Sequence, residues 1–166
     1  MTNAFRPHVL IVPEDAACRD VANGFVLRVD RDRAVQVLPP MDGWANVRDA
    51  LVRDAFRLAR FPERRLVVIV DFDNDLGRTE AVMGGCPDAI KDRVYIVGAR
   101  DEVEDLRSSL VAQGRLDPNT LEGIGRLLAA DCRHEAAVTW SHDMLGHNEA
   151  QYERMRTDLR ALLFDV

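Results

Sequence analysis

Asp71, Asp73 and Asp75 stand at alternate positions directly behind the apolar run Leu66-Val67-Val68-Ile69-Val70, and Glu14 and Asp15 stand directly behind a second run, His8 to Pro13. Carboxylates crowded together repel one another and resist losing their water, so such a group calls for a cation. Mg²⁺ suits it best, because it takes oxygen ligands and is commonly held by one or two carboxylates together with substrate phosphate; Mn²⁺ accepts the same ligand types. The chemistry to expect is metal-assisted phosphoryl transfer, with the charge on phosphate oxygens neutralised and a carboxylate orienting or activating water. The plain alternative is an Asp/Asn turn that closes a strand. Three histidines, His134, His142 and His147, gather near Trp140 and Asn148. His142 and His147 are five residues apart, which aligns them poorly on one helical face and argues against a zinc-binding pair. His142, in the first turn of the last helix and able to turn back toward the sheet, or else His147, is the histidine to assist as a proton shuttle or a phosphate donor, with packing or capping as the competing role. His8, at a strand start, reads as structural.

Four short apolar segments position these residues: His8 to Pro13, Ala34 to Leu38, Leu66 to Val70 and Arg93 to Val97. The third is rich in β-branched residues with no polar alternation, as in a strand buried on both faces of a parallel sheet. Helical segments fall between the strands. Asp15 is the expected N-cap of the first, from Ala16 to between Ala22 and Leu27, while Val26 to Val29 fits an edge strand equally well. Asp42 is the expected N-cap of the next, whose apolar face repeats through Trp44, Val47, Leu51, Ala55 and Leu58. Thr79 to Met83 and Pro87 to Lys91 flank Gly84-Gly85, and Asp101 with Glu104 has capping-box spacing. Gln113-Gly114 and Asp117-Pro118 bracket a turn, after which Leu121, Ile124, Leu127 and Leu128 mark a further helix. The last helix is expected to start near Ser141, with Trp140 and Leu145 as a hydrophobic staple and Leu145, Tyr152, Met155, Leu159 and Leu162 as its core stripe. Alternating β and α units imply a single three-layer α/β domain with a mostly parallel four-stranded sheet, to which C-terminal helices from about residue 117 to 166 are added. Ligands of such sheets bind past the carboxyl ends of the strands, where Glu14 and the Asp series stand.

Composition sets the outer limits. A chain of 166 residues with 47% hydrophobic and 30% charged residues is an ordinary globular domain. It has no membrane-length apolar run and no signal-peptide pattern, and Cys18, Cys86 and Cys132 are too dispersed for a zinc motif or a disulfide framework, so a cytoplasmic location is expected. The net charge of −6 argues against a protein that grips nucleic acid by phosphate neutralisation alone. The Arg57, Arg60, Arg64 and Arg65 cluster precedes the third strand and should lie at the opposite sheet edge from the acids, as a solvated face. No Gly-rich phosphate loop is present, and Lys91 precedes the fourth strand, which argues against a receiver-like phospho-ligand site.

One acid after the first strand and an Asp-x-Asp after the third resembles the Toprim domain of topoisomerases, bacterial primases, OLD-type nucleases and several phage-defence proteins. The resemblance covers Arg6 to about Arg107. It implies a Toprim/Rossmann-like core with Glu14 as general acid/base or metal ligand and Asp71 and Asp73 holding Mg²⁺, with Asp75 as an additional ligand. The implied function is a nuclease acting on DNA or RNA. The alternative is a non-catalytic interaction or regulatory module of an ATPase or of a phage-defence complex. Asp15 and Pro13 depart from the pattern, which places Gly after its Glu. The segments VLPPMDGW, VVIVDFDND, RVYIVGARDEVEDL and WSHDMLGHNEAQYERM also resemble a family of small uncharacterised bacterial proteins, from which no activity follows.

Overall fold

The apolar runs form strands β1 (His8–Pro13), β2 (Val35–Val37), β3 (Arg64–Ile69) and β4 (Val94–Val97). The computed structural model, which describes residues 3–117 and 119–166, pairs them all in parallel in the order β2-β1-β3-β4. The expected turn at Asp117-Pro118 lies partly outside the described residues, because Pro118 is not among them. The central strands β1 and β3 are covered on both faces, which explains their unbroken apolar character. Parallel register aligns Ile11, Val67 and Tyr95 in a row on one face and Leu10, Leu66 and Val94 on the other.

Seven α-helices cover the sheet among the described residues. On the Leu66 face pack α2 (Trp44–Val52), α3 (Arg78–Met83) and α4 (Asp88–Lys91), through Val47, Leu51, Val82 and Ile90. On the Val67 face pack α1 (Ala16–Val26), α5 (Val103–Ala112), α6 (Leu121–Arg133) and α7 (Glu149–Leu163). Ile124 and Leu128 of α6 and Tyr152, Met155 and Leu159 of α7 share one cluster with Val9 and Val67, so the C-terminal helices complete the core. Helices α1 and α6 pack backbone to backbone: a Cβ on Gly24 would lie 1.9 Å from the Glu122 carbonyl oxygen, and one on Gly125 1.9 Å from that of Val21. No helix among the described residues is long and apolar enough to cross a membrane.

The structure corrects several expectations about boundaries. Residues Val26 to Val29 form no strand, and α1 runs to Val26. Helix α2 ends at Val52 rather than continuing to Leu58, because Asp54 and Arg57 take left-handed backbone angles of φ 47° and 57°. The Asp54 carboxylate then accepts from Leu58 N and Ala59 N, turning Leu58 into the core. Helix α7 begins at Glu149, not near Ser141, and Trp140 and Leu145 form no staple at its start. The segment before it is held in turns by side chains: Asp131 Oδ2 accepts from Thr139 N and Trp140 N. Asn148 fills the place of a neighbouring strand at the β4 edge, accepting from Gly98 N at 3.1 Å and donating to Gly98 O at 2.8 Å. Arg64 opens β3 and the acids follow its other end, so the Arg57–Arg65 cluster does lie at the far edge of the sheet. There Arg64 donates to His8 Nε2 and lies over Phe61.

Candidate metal centre

Because β1 and β3 are neighbours in register, with Pro13 beside Ile69, the residues that follow them meet above one sheet edge. Glu14 reaches across this junction. Its Oε2 accepts from Asp71 N at 2.7 Å and its Oε1 from Trp44 N at 3.2 Å. The second bond gives α2 the N-terminal acceptor that Asp42 was expected to supply; Gly43 occupies the N-cap and makes no side-chain bond. Asp71 does the same for α5: its Oδ1 accepts from Val103 N at 3.2 Å, where Asp101 and Glu104 were expected to form a capping box. Asp15 caps α1 as expected, accepting from Cys18 N at 2.8 Å. Three helix N-termini therefore point at three neighbouring carboxylates, whose charge the helix dipoles partly offset.

That offset is incomplete. Asp71 is only 7% exposed, and burial, reinforced by the charges of Asp15, Glu14 and Glu104, pushes its carboxyl up to about 8. Burial also raises Glu14, against the lowering effect of the Asp71 N–H. Glu102, in the open, is raised chiefly by Glu104. Among the described residues, one group brings its ligand atoms within 4.8 Å of one another: Asp15, Cys18 and Asp71. Such a group is able to hold a metal ion. The Cys18 thiol is fully buried, and burial and Asp71 raise it far beyond the normal thiol range, so it is present as a neutral S–H 3.9 Å from Asp71 Oδ1. The donors the group offers are two carboxylates and a neutral thiol.

Of the four residues expected as metal ligands, only Asp71 belongs to this group. Glu14 touches it through the Asp71 N–H. Asp73 is exposed, with φ 49°, and its Oδ2 lies 3.4 Å from Arg78 Nη1. Asp75 is also exposed and closes the turn by accepting from Gly77 N. His142, the expected assisting residue, sits on the later part of α5: Nε2 faces Ser109 Oγ at 2.9 Å and Nδ1 accepts from Met144 N at 3.1 Å. Its ring nitrogens are thus occupied away from the acids. His147 packs edge-on against Phe72 with ring centroids 4.4 Å apart and faces the Gly98 backbone. His134 is exposed on the turn after α6.

Comparison of the chain with protein-family models, curated proteins and solved structures gives no match. The geometry alone speaks for the site.

Two of its parts escape a reading by motif. Asp15 and Cys18 lie three residues apart at the start of α1, a spacing that places both beside the same neighbour. Arg78 lies behind the acid loop and folds back on it. Its guanidinium is stacked 4.7 Å from the Trp44 ring centroid, and its Nη1 donates to the Asp71 carbonyl oxygen at 3.1 Å.

Proposed function

We propose that the protein is a Toprim-like, divalent-cation-dependent phosphoryl-transfer enzyme, a nuclease acting on DNA or RNA. The observation that carries this reading is Asp71: a carboxyl at the β1–β3 junction, raised to about 8 by burial first and then by Asp15, Glu14 and Glu104 around it. A cation offsets the repulsion among these acids, and Mg²⁺ or Mn²⁺ is the chemical match to Asp71 and Asp15, with Asp73 within the same loop. When bound, such an ion neutralises the oxygens of a phosphoester. The protein's own residues have distinct tasks. Asp71 is fixed through Oδ1 by Val103 N, leaving Oδ2 for a further partner. Glu14 holds the Asp71 and Trp44 backbone in place, and with its raised carboxyl it is the candidate to take a proton from water. Arg78 anchors the loop that carries Asp73.

A second reading rests on the same Glu14. Both of its oxygens are occupied by backbone N–H groups, a role that needs no catalysis. The protein would then be a cation-binding module whose partner, such as an ATPase, supplies the nucleic-acid contact. The deciding assay incubates single- and double-stranded DNA and RNA with wild type and Asp71→Asn, with Mn²⁺, with Mg²⁺ and with EDTA. Cleavage by the wild type only with metal, absent in the variant, supports the enzyme. Intact substrate in every arm, from a protein that binds Mn²⁺, supports the module.

A further inference from the structure

Arg78 is buried in a way that leaves its charge half answered. It is only 7% exposed, yet its one salt bridge among the described residues is to the exposed Asp73, at 3.4 Å, with the Glu14 charge acting on it from further off. A guanidinium carries five N–H donors. The Nη1 pair is directed to the Asp71 carbonyl and Asp73 Oδ2, while Nε is buried with no partner and Nη2 has none among the described residues. Removing such donors from water without replacing the lost bonds is costly, and a planar fork with free N–H groups matches two oxygens of a phosphate. The Trp44 ring fixes the fork's orientation, and Trp44 is itself tied to Glu14 through its N–H.

We infer that Arg78 is the phosphate-recognition residue of this site, its Nε and Nη2 gripping a phosphoester at the acid loop once Asp73 releases the guanidinium. This rests on the cation reading, which supplies the positive charge that draws a phosphate to this acidic edge. Asp73 is the built-in stand-in. It occupies Nη1 at long range from an exposed position and withdraws when it turns toward a cation. The fork, unlike a point charge, favours a ligand presenting two oxygens, so lysine is a poor replacement.

The test follows the Arg78 Nε–H resonance of the full chain, labelled with ¹⁵N, as inorganic phosphate is titrated with and without Mg²⁺. Mn²⁺ binding is measured on the same samples. With Mg²⁺ present, phosphate should shift the Arg78 signal, and Arg78→Lys should weaken phosphate binding about tenfold or more. Trp44→Leu, which removes the platform and leaves the backbone N–H, should weaken phosphate binding in the same direction. An unmoved Arg78 signal with and without Mg²⁺, or equal phosphate binding by Arg78→Lys, overturns the inference. Mn²⁺ bound beside an unmoved Arg78 signal refutes the phosphate role alone. A shifted signal without any Mn²⁺ binding supports Arg78 and refutes the cation reading.

Discussion

At the residue scale, Asp71 makes a cost visible. A carboxyl raised by burial and neighbouring acids destabilises the folded chain wherever it must ionise. Asp71→Asn keeps the Oδ1 acceptor for Val103 N and removes the charge, so it should stabilise the metal-free protein by about 1–2 kcal/mol at pH 7, read by urea unfolding. An unchanged or lowered midpoint would mean that Asp71 is not strained by its neighbours. Glu14→Ala should act the opposite way, because it orphans the N–H groups of Asp71 and Trp44; a loss of about 1–3 kcal/mol is expected in the same experiment. These opposite signs separate a carboxylate held at a cost from one that organises the loops around it.

At the scale of elements, the α1–α6 contact is the least forgiving part of the fold. Gly125→Ala drives a methyl group into the Val21 carbonyl, 1.9 Å from an ideal Cβ, and neither backbone can yield without moving a helix. A loss of about 3 kcal/mol, at the upper end of overpacking costs, is expected by chemical denaturation. A loss below about 1 kcal/mol would show that the helices separate easily. The sequence made the strands legible because Leu66 to Val70 and Val94 to Val97 are continuous apolar runs, which only a doubly covered sheet accommodates. It also made Glu14 and Asp71 legible as neighbours once β1 and β3 were placed side by side. Helix ends were less legible, because long-range side chains replaced local caps: Glu14 serves α2, Asp71 serves α5, and Asn148 closes the β4 edge where the last helix was expected to have begun already. Arg78 was hidden for the same reason, since its place on Trp44 joins two segments distant in sequence.

For the whole molecule, buried histidines and the acid cluster pull stability in opposite directions with pH. His8, His142 and His147 are each held below the usual histidine range, chiefly by burial. The unfolded chain therefore binds more protons below about pH 6.5, and the stability owed to neutral histidines is lost as the pH falls through that region. Asp71 works the other way. Raised to about 8, it binds its proton more tightly in the folded chain, so stability declines as the pH rises from the ordinary carboxylate range toward 8. Calorimetric melting from about pH 5 to 9 should show both limbs, with saturating Mg²⁺ lifting the alkaline one selectively. A Mg²⁺ effect equal at every pH would detach the cation from Asp71. The overall charge of −6 and the remote Arg57–Arg65 cluster leave the acid edge with a surplus of negative charge, which repels anions from it.

The central claim is that Asp71 and the acids around it form a divalent-cation site, and Mn²⁺ titration calorimetry on wild type and Asp71→Asn tests it most directly. The account predicts one ion per wild-type chain, bound more tightly as the pH is raised from about 6.5 to 8, with proton release on the acid side of that range and affinity at least about tenfold lower in the variant. Mn²⁺ binding that is absent from the wild type, or equal in the two proteins and indifferent to pH, would contradict it.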